Sequence, residues 1–290
     1  MPTAALLSPD LRDRIDRNHL QFQWLSLCEG PRPRRCDWPD ATAMGSYLPT
    51  EVANTLFLTR LPSDLPGRLR EASEFFRGTP AWRVTAPDTL RSEVAPAAEA
   101  AGMHPAPPVP RLVLKPLLPA PPPPAGLSIR RVASGEGLHE FCEASGRAFR
   151  IPRWFLRAAF AARFDSNAAP EPAIHRFVGY AGGRPVATAA QSTSDGVTGI
   201  FFVGTVPEAR RRGFGEAVTR AAIEDARAQG ATVAWLQSTA IGRPLYERMG
   251  FRWVHDDFDW VVPARGLGAL RAMGRALSLA VAPRRGLVRA

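Results

Sequence analysis

The sequence predicts an α/β protein: a central mixed sheet flanked by helices, preceded by a second, smaller α/β unit. Three observations carry that prediction. Strand-like and helix-like runs alternate along most of the chain. The β-branched and aromatic run "VTGIFFVGTV" passes directly into a glycine-interrupted helix start, "PEARRRGFGEAVTRA". Four consecutive prolines in "LPAPPPPAG", Leu118–Gly126, suit neither a helix nor a central strand and read as a stiff spacer that divides the chain near residue 122.

Within residues 1–117, "LPSDLPGRLREASEFFRG" predicts a helix over about 66–77, with Leu65, Leu69 and Phe75 or Phe76 on one face. "AWRVTAP" follows as a strand, "DTLRSEVAPAAEAAGM" as a helix ended near Gly102, and "RLVLKPL" as another strand. This unit has no glycine loop of the phosphate-binding kind.

Residues 127–263 are more regular. "LSIRRVA" alternates as a strand, and "EGLHEFCEASGRAF" and "RWFLRAAFAARF" predict two helices. "HRFVGYA" and "RPVATAAQSTS", joined by Gly182 and Gly183, form a hairpin. A helix over about 213–229 follows the "VTGIFFVGTV" strand, then the strand "TVAWLQS", a short helix through Tyr246 and Arg248, and two final strands, "FRWVHD" and "FDWVV", meeting in a turn. Residues 264–290 read as a basic amphipathic helical tail docked on the chain's own domains, with a peripheral membrane contact as the lesser alternative, and with Leu270, Met273, Leu277 and Val281 near one face.

At 290 residues, with 45% apolar and 22% charged side chains, the chain is of ordinary globular composition. The formal charge of +10 invites a nucleic-acid reading. Against it, only Lys115 among the 37 basic residues is lysine, and the arginines are scattered with no dense basic face or interleaved aromatics. No nucleic-acid partner is expected. Cys28, Cys36 and Cys142 lack paired zinc-site spacing, so neither a metal nor a disulfide framework is expected. The opening residues are unlike a signal peptide, and no apolar run nears the about 20 residues a bilayer span needs, so a cytoplasmic location is expected.

The stretch Val203–Ala221 carries the chemistry. A strand ends at Val206, Pro207 turns the chain, and the amides from Arg211 to Glu216 become the unpaired first turn of a helix, where partial positive charge collects. Gly213 and Gly215 remove side chains that would hold a phosphate away from those amides.

"PEARRRGFG" resembles the R-x-x-G-x-G pyrophosphate loop of the GNAT (GCN5-related N-acetyltransferase) superfamily, with Arg210, Gly213 and Gly215 at its defining positions. "PLYERMGF", Pro244–Phe251, is similar to that family's late tyrosine and GF signature. The resemblance covers about residues 127–262. It implies a sheet splayed between its fourth and fifth strands to admit acyl-CoA. It also implies that Val203, Gly204 and Thr205 pair with the pantetheine arm, and that Arg210, Arg211, Arg212, Gly213, Phe214, Gly215 and Glu216 surround the pyrophosphate. Tyr246 would be the general acid that protonates the leaving thiolate. Acetyl-CoA is then the donor and a small-molecule or peptide amine the acceptor, with a homodimer left open. The order of elements before residue 117 suggests a tandem protein whose first domain is a degenerate GNAT-like unit, or another α/β domain, that binds no acyl-CoA.

Two departures leave a general base unassigned. Gly199 stands where some relatives carry a glutamate, and Thr239 where an asparagine is frequent. Gln237 and Ser238, at a strand end, read as capping residues or as ligands of the thioester carbonyl or substrate. His255, Asp256 and Asp257 read as a solvated turn that could also supply a base or bind an amine, and His175 and Glu136 have less to support them. The functional expectation is an N-acyltransferase; the alternative is an acyl-CoA sensor or scaffold without turnover.

Overall fold

The computed structural model describes residues 7–30, 32–46, 48–79, 81–160 and 171–262. The end of the second helix of the "RWFLRAAFAARF" pair and the 264–290 tail lie outside the described residues.

The first segment opens with α1 (Pro9–Cys28), whose start is fixed by Ser8: its Oγ accepts from the Leu11 amide at 3.2 Å, and Pro9 presets the first turn. There follow β1 (Arg34–Asp37), β2 (Ala41–Gly45), β3 (Thr55–Leu58), α2 (Leu65–Phe75), β4 (Trp82–Pro87), α3 (Arg91–Ala100), β5 (His104–Pro105) and β6 (Val109–Leu114). After the proline block come β7 (Leu127–Arg131), α4 (Gly135–Phe149), α5 (Arg153–Ala159), β8 (His175–Ala181), β9 (Arg184–Ser194) and β10 (Val197–Thr205). The chain then forms α6 (Phe214–Ala228), β11 (Val233–Gln237), α7 (Arg243–Arg248) and β12 (Arg252–Val262).

All twelve strands among the described residues belong to one mixed sheet in the order β1-β2-β3-β4-β12-β6-β11-β10-β9-β8-β7, with β5 added beside β12. The two segments exchange strands at its centre. β6, from the first segment, lies between β11 and β12, while β12, from the second, lies between β4 and β6. Reading outward from the β6–β12 pair, the two sides repeat: an antiparallel neighbour (β11 or β4), then a parallel one (β10 or β3), then antiparallel strands. The hydrophobic interior is exchanged likewise. Leu112 of β6 belongs to the core built by Phe214, Val218, Ile223 and Phe251, and Trp260 of β12 to the core built by Leu56, Leu69, Val84 and Val94.

The exchange corrects the expected final hairpin. "FRWVHDDFDWVV" is one strand of 11 residues, and His255 and Asp257 are buried in its middle. Its first half registers with β6, from Arg252↔Val113 to Asp257↔Val109; its second half registers with β4, from Asp257↔Pro87 to Val262↔Trp82. Three acidic residues in four look like a turn, but here Arg111 and Arg83 from the first segment neutralise Asp257 and Asp259 in place.

α1 crosses the face of this sheet and ties the halves together. The His19 ring stands edge-on to Phe57 of β3 and to Trp235 of β11, with centroids 5.4 and 5.1 Å away, and Phe22 stacks on Phe201 of β10. Asn18 donates to the Ser192 carbonyl at 3.1 Å and accepts from Trp235 Nε1 at 2.8 Å, so the polar atoms of this fully buried amide are matched.

Candidate functional site

The sheet opens where the resemblance places the donor. β10 registers with the parallel β11 only over Val197–Gly199, and beyond Gly199 the edge of β10 facing β11 has no strand partner. A bulge helps drive the strands apart: the β9 register shifts between Phe201 and Gly204, and Phe202 has φ of +50°. Gly204 sits where the end of α4 presses on the strand; a Cβ there would lie 2.8 Å from the Ala148 Cβ, too near for any other residue. Val203, at the bulge, is partly buried against the core of α6 and α7.

The loop after β10 makes one turn at Pro207–Ala209 and then passes through two left-handed residues, Arg211 (φ +61°) and Gly213 (φ +77°), into α6. No side chain caps α6; its first bonded amide beyond the loop is that of Ala217, which donates to the Gly213 carbonyl. The amides from Arg211 to Glu216 therefore make no hydrogen bond among the described residues, a run of donors at the positive end of a 15-residue helix. A Cβ on Gly215 would sit 3.1 Å from Thr205 Oγ1, so the glycine lets the helix start close against the strand end.

The charged side chains divide their work. Arg210 turns inward, its Nε donating to the Thr205 carbonyl and its Nη2 to that of Ala148, both at 3.1 Å, so it laces the loop to the ends of β10 and α4. Arg212 lies over the Phe214 ring, which is itself buried in the core, and Glu216 is held by Arg220 one turn on. The proline block runs alongside: the Ala120 amide donates to Glu224 of α6, and Pro124 lies beside Gly213.

Tyr246 comes from α7 into the same core cluster as Val206 and Phe214, edge-on to Phe251. Its neighbour Leu245 approaches the start of α6. Burial raises the phenol to about 12, so the hydroxyl stays protonated, and it makes no hydrogen bond to any described residue.

Gly199 is packed shut. A Cβ there would meet the Phe201 ring at 2.5 Å and Asn18 Oδ1 at 2.9 Å, so α1 and Phe201 fill the place of the glutamate that some relatives carry. Gly199→Ala is expected to cost about 1–3 kcal/mol by overpacking, read as a lower urea midpoint with unchanged far-UV circular dichroism.

The residues that sequence reasoning placed on a turn form instead a buried polar cluster. Arg111 Nε donates to Asp257 Oδ2 at 3.0 Å, and its outer nitrogens reach Asp16 and His19 of α1. Gln237, at the end of β11, donates to Asp257 Oδ2 at 2.7 Å. His255 Nε2 lies 3.4 Å from Asp257 Oδ1, while its Nδ1 is enclosed without a hydrogen-bond partner among the described residues. Burial alone would raise the Asp257 carboxyl, but Arg111, His255 and Gln237 outweigh it and hold the group well below the usual range. His19 goes down to about 3, through burial first and Arg111 second.

The remaining candidates have structural partners. Ser238 donates to the Thr239 carbonyl, the Thr239 hydroxyl accepts from the Gly242 amide, and Asp256 accepts from Trp253 Nε1. His175 is bonded to Asp225 and Arg131, tying α6 to β7 and β8, and Glu136 lies exposed in the first turn of α4. Burial pushes the Cys142 thiol up to about 12, the reverse of an activated nucleophile. Among the described residues no group of His, Cys, Asp or Glu could hold a metal ion, and no helix is long and apolar enough to cross a membrane. Sequence reasoning missed Asp16, His19 and Arg111. The Ser8–Pro9 start of α1 was a legible signal for the helix, though not for its partners.

No curated protein matches the chain. Among solved structures, a GCN5-related N-acetyltransferase from Kribbella flavida is 24% identical, covering 87% of this chain and 96% of its own at a TM-score of 0.67. One from Sphaerobacter thermophilus is 17% identical, covering 78% and 81% at 0.56. A tandem GNAT protein from the clavulanic acid biosynthesis pathway is 14% identical, covering 90% and 98% at 0.54. These likenesses are of fold. The family model for the acetyltransferase (GNAT) family matches residues 138–251, the stretch that holds the bulged β10, the open amide row and Tyr246. The chain therefore carries a GNAT-family domain over those residues, inside a mixed α/β fold shared with GNAT structures along most of its length.

Proposed function

We propose that the protein is an N-acyltransferase that takes an acetyl group from acetyl-CoA and delivers it to an amine. The observation that carries this reading is the row of unbonded amides from Arg211 to Glu216 beside the unpaired edge of β10. A pyrophosphate satisfies the amides, and the amide groups of a pantetheine arm extend the strand edge. In the reaction the lone pair of a neutral amine attacks the thioester carbonyl, a C–N bond forms and the C–S bond breaks. The departing sulfur takes a proton from the Tyr246 hydroxyl while the amine nitrogen gives one up to solvent water, from which the phenolate is reprotonated, so the products are the amide and free CoA thiol. A phenol raised to about 12 remains a proton donor throughout the physiological pH range.

Tyr246→Phe is expected to lower kcat about 100-fold, the usual scale for losing a positioned acid, and to leave the Kd for acetyl-CoA within about twofold. Free-thiol release and calorimetry read the two quantities, and full activity of the variant would remove Tyr246 from the mechanism. The filled space at Gly199 favours a second reading, a domain that holds acyl-CoA without turnover. It predicts calorimetric binding with no thiol release over any amine.

One acyl-CoA per chain is expected. The helix start in the first half that corresponds to α6 is that of α2, and Asp64 already caps it, its carboxylate accepting from the Gly67 amide at 2.8 Å. An anionic ligand there would have to displace a fixed negative charge.

A further inference from the structure

The repeat across the sheet gives the first half its own opening. β3 and β4 register only from Thr55↔Arg83 to Phe57↔Thr85, the same three-pair contact that β10 makes with β11, and a cleft lies between them beyond that point. Because Asp64 closes the phosphate end, this cleft is left to another ligand, and its walls state the chemistry. Asp16 and Asp257 supply two carboxylates, Arg111 one guanidinium, Phe57 an apolar wall, and Thr59 and Thr85 the remaining polar edge. Arg111 is 4% exposed and its charge is already matched by both carboxylates, whereas the Asp16 side chain is 37% exposed. His19, which also lines the cleft, is neutral at physiological pH. In a chain of formal charge +10 this cleft carries a surplus of negative charge.

One hydrogen bond ties it to the donor side. Gln237, at the end of β11 and thus on one wall of the acyl-CoA opening, is bonded to Asp257 inside the cleft. Two strand spacings separate β11 from β12, on the order of 10 Å.

We propose that the end of this cleft formed by Asp16 and Asp257 is the acceptor's second subsite and selects amines that carry another positive charge roughly 10 Å from the reacting nitrogen. The inference rests on the acyltransferase reading for the word acceptor, but the cleft's preference for a cation is measurable without turnover.

Three probes of equal length and equal reactive amine isolate the charge: 1,8-diaminooctane, n-octylamine and 8-aminooctanoate. Calorimetry on the full chain with CoA bound should give the diamine a Kd at least about tenfold below that of octylamine, with the amino acid weakest. The same order should appear in kcat/KM. Asp16→Asn should reduce the diamine advantage to about twofold or less while leaving the Kd for acetyl-CoA unchanged. Thr59→Arg, at an exposed position whose hydroxyl donates to the Asp40 carbonyl, should abolish diamine binding by adding a cation at the rim with little risk to the fold. Equal binding of all three probes, preference for 8-aminooctanoate, or a diamine advantage that survives both variants would overturn the inference while leaving acetyl-CoA binding and thiol release intact. Loss of those two in the unaltered protein would instead sink the acyltransferase reading, and the calorimetric ranking would still decide the cleft.

Discussion

Gly213→Val is expected to lower the affinity for acetyl-CoA by more than about 100-fold, a loss of about 2.7 kcal/mol or more. The residue sits at φ +77°, where a β-branched side chain is strained by about 1–3 kcal/mol, so the loop must leave its conformation to accept valine. The added side chain also meets Pro124 of the linker, whose Cγ lies 3.4 Å from the Cβ position. The two effects act together on the line of amides from Arg211 to Glu216, which can bind phosphate only while they point one way. Because the position is at a helix start and not in the core, the fold should survive with a melting temperature lowered by only several degrees. Calorimetry with acetyl-CoA, with circular dichroism as the control, reads the result; affinity within about threefold of the unaltered protein would show that the phosphates bind elsewhere.

Asp257→Ala is expected to destabilise the protein by about 3–5 kcal/mol, since it leaves the Arg111 guanidinium buried with only the half-exposed Asp16 as counter-charge. Asp257→Asn should cost less, because it retains an acceptor for Arg111. The same cluster makes the fold acid-labile. His19 is held neutral, its value lowered from 6.5 to about 3, so the unfolded chain takes up a proton that the folded one refuses. That contribution is fully present above pH 6.5 and is lost as pH falls toward 3. Asp257, held below the ordinary carboxylate range, adds a loss of the same sign at still lower pH. Urea midpoints measured from pH 7 to pH 4 should therefore fall steadily, and His19→Gln should flatten the slope; a midpoint independent of pH over that range would contradict the buried neutral imidazole.

Much of the fold between residues 127 and 262 was legible because its signals are local. The Gly182–Gly183 hairpin, the glycine-started α6 and the strand leading into it are each written within about 20 residues. The central strands were not legible as neighbours. Nothing near "RLVLKPL" says that it will lie between two strands more than 110 residues downstream, because register is set by the face a strand buries and the partners it meets. The misreading of "HDDFD" has the same origin: its charges are answered by Arg111 and Arg83, which are 146 and 176 residues away in sequence. The row of unbonded amides was readable since the helix terminus and glycines that make it are contiguous; the cleft of the first half was not, being assembled from α1, β3, β4, β6 and β12.

The exchanged strands also set an order of events during synthesis. β4 is made early, yet the neighbour that completes its sheet is β12, whose last residue is Val262. Until most of the chain has left the ribosome, the first half carries an open strand edge and a core lacking Trp260. The maturation of the N-terminal half thus waits on the completion of its partner strand.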